Sequence, residues 1–386
     1  MKGKNKNKSS IKPAVFIAFI ICLAVSGSFL YILRPDSETE NPLFETIYAS
    51  TSRLDSLIRR IDNLIYEALY EEDIREADID FSDVIPRHKD NIDWDFTGLS
   101  VKVSDSKSAD RLQSLIKNNL TESLPDVSVE SELAPDNRFS LKIYALGYNT
   151  HRIVLDHTKK TVKKPKSLPK IAIIIDDIGY DYPLAVDFMD LKIPVSLSIL
   201  PGAPFIKKIA SGAEKRGCEV LLHLPMEPKG YPKFDPGPGA VLTSMDRETI
   251  HKVVKEDIEK VPGIKGVNHH MGSLFSEKID KMKHVMDEIK KHDLFYVDSR
   301  TTNRSAAYKV ARAIGVPAAE KSVFIDNDLT EKALRYQMER LLGIARSKGT
   351  AVGIAHPHRE TLKILEKFSE RFEKDFDVVP VSELVN

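Results

Sequence analysis

Hydrophobic and polar positions follow two different rhythms along this chain. Leu54, Leu57, Ile58, Ile61, Leu64, Ile65, Ala68 and Leu69 recur every three or four residues, which predicts an amphipathic helix ending near Tyr70. After an acidic stretch, residues 94–104 alternate as a strand, and 108–120 form a second helical pattern with Leu112, Leu115 and Ile116 inward. Residues 127–133 and 139–146 flank Pro135-Asp136-Asn137 and predict a hairpin. From Lys170 the rhythm changes. Apolar runs at 171–175, 195–199, 218–222, 266–268, 294–297, 323–325, 351–355 and 378–381 read as strands. Between them, 184–191, 205–216, 247–261, 277–291, 306–314, 331–346 and 360–372 read as helices. Seven or eight such units in about 215 residues predict an α/β architecture on a parallel sheet, a barrel rather than an open sheet.

The remaining stretches set the expected domain limits. Residues 14–33 are uncharged and apolar over the length a helix needs to cross a bilayer, and Lys2, Lys4, Lys6, Lys8 and Lys12 precede them. The positive-inside rule then leaves the tail, 1–12, in the cytoplasm and everything after the anchor, 13–34, outside the cytoplasmic membrane, periplasmic or extracellular. A cleaved signal peptide is the competing reading, but residues 31–34 lack a small-x-small cleavage pattern. A small α+β domain is expected over 41–158, with scattered His88, His151 and His157 read as exposed, and a role as spacer or contact module for an envelope protein partner. A basic, proline-containing linker, 159–169, leads to the β/α domain, 170–386.

Composition narrows the function classes. The chain has 386 residues, 42% hydrophobic and 30% charged, with a formal net charge of zero, so no broad basic face favours nucleic acid. Only Cys22 and Cys218 occur, and cysteine carries no chemistry here.

In parallel β/α proteins the site lies where the strands end. The first predicted strand ends in Asp176 and Asp177, a pair that shares a proton, binds a cation, or merely caps a turn. The third ends in His223, the fourth in Asn268, His269 and His270, the fifth in Asp298 and Ser299, the sixth in Asp326, and the seventh in His356 and His358. Any one of these alone is an ordinary packed or capping residue. Carboxylates and imidazoles converging from several strands match the ligand set of a catalytic Zn²⁺ or similar divalent metal ion with an open position for water.

The segments IDDIG, LLHLPMEP, GVNHHMGS, VDSR and IAHPH resemble the motifs of the divergent polysaccharide deacetylase family, a distant branch of the NodB-type carbohydrate esterases. The resemblance covers about 169–386. It implies a distorted (β/α) barrel of seven or so strands and metal-dependent hydrolysis of N- or O-acetyl groups on a glycan. It also implies that Asp176 is the general base, Asp177 a metal ligand, and His356 the acid that protonates the leaving group. The NodB-type motif carries a second histidine four residues after the first, where this chain has Glu227 after His223. His270 is therefore expected to supply the missing imidazole, with Glu227 or His269 as substitutes. Asp298 either orients His356 or Asp176 or caps the turn at Ser299, and Arg300 tunes that network or is a surface charge. The long loop at 225–242 is expected either to be functional, with Tyr231 and Phe234 stacking on sugar rings, or to be a disordered surface loop; Asn268, Tyr231 and His358 are further candidate substrate contacts.

Two functions fit these residues. The first is a membrane-anchored deacetylase of an acetylated envelope polysaccharide or peptidoglycan, and the second a catalytically inactive, glycan-binding envelope scaffold. A metal-dependent phosphoesterase is weaker, since no basic cluster near the strand ends is evident in the sequence to hold phosphate.

Overall fold

A computed structural model describes residues 53–75, 78–90, 92–133, 138–157 and 167–386. The expected membrane anchor lies outside them, and among the described residues no helix is long and apolar enough to cross a membrane.

Helix α1 (Arg53–Glu71) buries Leu54, Leu57, Ile61, Ile65 and Leu69, the stripe its periodicity predicts. Strands β1 (Ile79–Lys89) and β2 (Ile92–Lys102) form a hairpin. Asp105 caps helix α2 (Ser106–Ser123), its carboxylate accepting the Ser108 amide at 2.8 Å. Strands β3 (Val127–Leu133), β4 (Phe139–Ala145) and β5 (Tyr148–Asp156) follow and complete a five-stranded sheet ordered β1-β2-β5-β4-β3. Two of these strands escape the sequence reading. β1 is a mostly exposed edge strand with acids and Pro86, and β5 turns Thr150 and His151 inward where an apolar residue would mark a strand.

His151, expected on the surface, is fully buried. Its Nε2 lies 3.0 Å from Asp62 Oδ1, and the Tyr336 hydroxyl donates to the same oxygen. Most buried polar groups are partnered in this way.

The second sheet is parallel throughout. Its strands are β6 (Lys170–Ile178), β7 (Ser196–Ile199), β8 (Glu219–Met226), β9 (Gly266–Met271), β10 (Phe295–Asp298), β11 (Ala318–Glu320), β12 (Val323–Phe324), β13 (Thr350–Ala355) and β14 (Asp377–Val378). Their order is β11-β10-β9-β8-β7-β6-β13-β12, with β14 also beside β6. The crossover helices are α3 (Tyr182–Met189), α4 (Ile206–Arg216), α5 (Arg247–Lys260), α6 (Ile279–Lys291), α7 (Ala307–Ile314), α8 (Glu331–Lys348) and α9 (Arg359–Asp375). The expected barrel is thus a curled parallel sheet whose end strands do not pair with each other. They are instead consecutive in the chain: the Lys321 amide donates to Asp298 O on one edge, and the Ser322 amide to Val352 O on the other.

Side chains sort by strand parity. Ala172, Ile174, Leu221, Phe295, Val297, Val352 and Ile354 fill the concave inside of the curl. Ile171, Ile173, Leu222, Val267, Tyr296 and Ala351 face the helices. Full burial of a Leu or Ile side chain contributes about 1.5–3 kcal/mol.

Helix α8 belongs to both cores. Leu341 and Leu342 pack with the curled sheet, whereas Tyr336 packs with the five-stranded one, its ring 5.8 Å from Phe81. The close approach requires Gly343, where an added Cβ would sit 2.7 Å from Phe81 Cδ2 and 3.0 Å from its backbone nitrogen. Gly343→Val should therefore destabilise the protein by about 1–3 kcal/mol in urea unfolding. An unchanged midpoint would show that the two sheets do not depend on this contact.

Candidate metal centre and active site

The site starts from one irregularity in β6. Ile175 faces the helices and Asp176 the inside, so simple alternation would turn Asp177 outward. The β6–β7 register instead shifts between Ile175 and Ile178, and Asp177 takes a φ of 52°. Ile178 then returns to the helix-facing core, and both aspartates are buried on the concave side. A bulge that re-aims a side chain in this way is frequent beside functional sites.

The neighbouring strands supply the imidazoles. His223 Nε2 lies 3.0 Å and His270 Nδ1 2.8 Å from Asp177 Oδ1. One ligand atom from each of the three residues falls within 4.8 Å of the other two, and all three residues are buried. Neither Asp177 oxygen accepts a hydrogen bond. A buried carboxylate without such a bond, facing two ring nitrogens, is matched to a cation rather than to hydrogen-bond donors.

Asn268 fixes the chemistry of His223. Its amide nitrogen donates to Asp176 Oδ1 at 2.7 Å, so its oxygen is the atom that faces the other way. That oxygen accepts from Ser198 Oγ, and His223 Nδ1 lies 2.7 Å from it. The Nδ1 proton thus points to Asn268, and in the neutral ring Nε2 presents a lone pair toward Asp177. The donor set, the burial and the tautomer fit a divalent cation held by Asp177, His223 and His270.

Burial alone would push both carboxyls up. For Asp177 the charges of His270 and His223 outweigh it, and its pKa falls well below the usual carboxylate range. For Asp176 burial prevails over His223, His356 and Asn268, and its pKa rises. His223, despite burial, is raised by the two carboxylates.

His356, at the end of β13, faces the same concave side. Its Nδ1 is 2.9 Å from Asp326 Oδ1, and its backbone amide donates to Asp326 Oδ2, which also accepts from Thr361 Oγ1 at 2.7 Å. Burial opposes the imidazolium, but Asp326, with Asp177 and Asp176, outweighs it and raises the pKa to about 9. Asp326 was visible in the sequence only as a strand end; its pairing with His356 depends on β12 lying beside β13.

Other expected residues lie elsewhere. Asp298 faces the helix side and does not orient His356. Its carboxylate accepts from the Arg300 amide, Ser305 Oγ and the Tyr308 amide, the turn-capping alternative. His269 has the opposite parity to His270, pairs with the Tyr296 hydroxyl at 2.6 Å, and is held neutral by burial, its pKa near 4. Glu227 does not join the cluster; its carboxylate accepts the Thr243 amide and its carbonyl the amides of Leu274 and Phe275. The loop it anchors closes at its base, Val241 N donating to Pro225 O and Glu227 N to Val241 O, and Tyr231 is exposed at 38%. His358 sits at the N-terminus of α9, its ring 6.5 Å from that of His356.

A curled parallel α/β sheet carrying a buried Asp-His-His cluster at its strand ends defines a β/α protein with a candidate hydrolytic metal centre. The model of the divergent polysaccharide deacetylase family matches residues 173–385, more than half of the chain, and the chain belongs to that family. Similar proteins include the uncharacterized protein YibQ of Escherichia coli, 29% identical over 225 residues, 58% of this chain and 70% of that protein. An uncharacterized protein of Haemophilus influenzae is 28% identical over 215 residues, 56% of this chain and 76% of that one. The crystal structure of an uncharacterized protein of Agrobacterium tumefaciens superposes with a TM-score of 0.55 at 26% identity, covering 57% of this chain and 92% of that one.

The parity of β9 makes a direct prediction. The full-length protein should retain about one divalent cation per chain. His270→Ala should weaken its affinity by about tenfold or more, and His269→Gln should leave it unchanged. Metal titration after chelation reads both, and the reverse pattern would sink the assignment.

Proposed function

We propose that this protein is a metal-dependent deacetylase of an acetylated envelope polysaccharide or peptidoglycan. The observation that carries the reading is the buried Asp177-His223-His270 cluster with Asp176 and the paired His356 on the same concave rim. Family membership supports the substrate class. Residues 13–34 anchor the chain in the cytoplasmic membrane, with the catalytic domain outside. Protease digestion of intact spheroplasts tests this orientation, since protection of the C-terminal domain would place it inside.

A divalent cation held by Asp177, His223 and His270, with Zn²⁺ the best match to one carboxylate and two imidazoles, supplies Lewis acidity toward water and an acetyl carbonyl when bound. The protein's own groups do the proton work. Asp176, its carboxyl raised toward the working range, takes a proton from the water that attacks the acetyl carbon. Asn268 holds that carboxylate and His223 in one hydrogen-bonded line. His356 enters as imidazolium because Asp326 keeps it so, and gives its proton to the departing nitrogen as the C–N bond breaks, or to the oxygen of an O-acetyl group. Acetate and the freed sugar amine or hydroxyl are the products.

Acetate release from chitooligosaccharides and peptidoglycan tests this directly. Asp176→Asn should lower kcat by about 10²–10⁴-fold while the cation stays bound. Bound cation with no acetate from any glycan would favour the inactive scaffold instead.

The rate should fall on the alkaline side as His356 loses its proton near pH 9. Asp326→Asn removes the group that raises this pKa, so the alkaline limb should move to lower pH. A limb that stays in place would exclude His356 as the acid.

A further inference from the structure

A cleft of about 450 Å³ opens where α1 and β2 of the five-stranded sheet meet the rim of the curled sheet, a size suited to a small ligand or a few sugar units. It adjoins the candidate active site. Phe324, in its wall, lies with its ring 6.2 Å from that of His356 and nearly parallel to it, and the Lys321 ammonium sits 3.3 Å from the Phe324 ring centre.

The charges on the two sides of the cleft are answered differently. On the α1 and β2 side the acids have partners: Asp62 accepts from Tyr336 and contacts His151, and Asp93 lies 2.7 Å from His88 and 3.6 Å from Arg304. On the rim side stand the guanidiniums of Arg300 and Arg340 and the amine of Lys321, none with a carboxylate at hydrogen-bond distance. Burial lowers the Lys321 pKa to about 7, and a bound anion would raise it again. Arg300 Nε is 3.9 Å from Glu320, and an Arg340 terminal nitrogen is 3.8 Å from Asp95. The Lys321 ammonium donates to a backbone carbonyl, that of Arg300, at 3.2 Å. Arg340 is 91% buried by its 9% exposure, yet its Nε has no hydrogen-bond partner. Leaving a buried guanidinium N–H unmet is costly, and a bidentate anion is the group that guanidinium geometry fits best.

We infer that this cleft is a subsite for a carboxylate borne by the glycan, with Arg340, Arg300 and Lys321 as its partners, so that the acetylated substrate is an anionic polysaccharide. The inference rests on the deacetylase reading and deepens it. The five-stranded sheet then forms one wall of the substrate cleft, and the sugar carrying the carboxylate lies beyond Phe324 from the sugar carrying the acetyl group. A carboxylate suits the site better than a phosphate dianion, because Asp55, Asp62, Asp93, Asp95 and Asp328 also line it and would repel the second charge.

The test uses the full-length, cation-loaded protein in detergent at low salt. Calorimetry would compare neutral chitotetraose with two tetrasaccharides of equal length that carry carboxylates. One alternates N-acetylglucosamine with N-acetylmuramic acid, the other with glucuronic acid. At least one should bind about tenfold tighter than chitotetraose. Arg340→Met should erase that preference. Arg300→Asn, which keeps a residue tolerant of the positive φ of 46° there, should reduce it with little risk to the fold. Cation content should be unchanged in both variants. Equal binding of neutral and acidic sugars, or a preference that survives both substitutions, would overturn the inference. Acetate release is read separately. Carboxylate-dependent binding without acetate leaves the subsite standing and removes the deacetylase reading, and acetate release without carboxylate preference does the opposite.

Discussion

Two carboxylates buried side by side on one strand are the constraint to which the rest of the site responds. Asp176 and Asp177 face the same way only because β6 gains a residue between Ile175 and Ile178. A left-handed aspartate there stores roughly 1 kcal/mol of backbone strain. Gly179 completes the turn with a φ of 143° at a point where a Cβ would sit 2.2 Å from the Ala203 Cβ. Like charges in a dry interior raise each other's pKa unless positive charge or hydrogen bonds intervene. His270 and His223 outweigh burial at Asp177, whereas at Asp176 burial outweighs His223, His356 and Asn268, so the two acids are driven in opposite directions. A ligand and a base require just such a difference, since one must stay ionised and the other must exchange a proton.

Strand parity then decides which of the rim residues join them. His269 and His270 are neighbours in sequence, yet one packs against Tyr296 under the helices and the other faces Asp177. The same rule separates Asp298 from Asp326. Asp298 ends β10 and Asp326 follows β12, but the first closes off the turn into α7, whereas the second reaches across to His356 just past the end of β13. Two residues of equal chemical promise thus acquire a structural and a proton-holding task from the face they occupy.

Much of this was legible in the sequence. The helix periodicities and the apolar runs of the second half mark the elements of the curled sheet except the three-residue β11 (Ala318–Glu320), too short to stand out as a run, and the polar residue after most runs marks its rim. Parity at a bulge was not legible, because the extra residue in β6 shows only as a second aspartate. The pairing of His356 with Asp326 was hidden for another reason: it spans thirty positions and depends on which strands become neighbours. In the first half, β1 and β5 went unread because their inward positions are few or polar, and His151 looks like a surface residue until Asp62 and Tyr336 come together around it.

That last cluster bears on what the first sheet is for. A five-stranded sheet serving only as a spacer would need no residue of the second half in its core. Tyr336 of α8 occupies that core, and Arg340, one turn further along the same helix, enters the cleft beside Phe324. Helix periodicity places positions 336 and 340 on one face, so docking Tyr336 into the first sheet also fixes where the Arg340 guanidinium stands. Asp95 of β2 is the nearest acid to that guanidinium, at 3.8 Å, and it moves with the sheet. The contact that joins the two halves therefore also sets the charge beside the candidate active site.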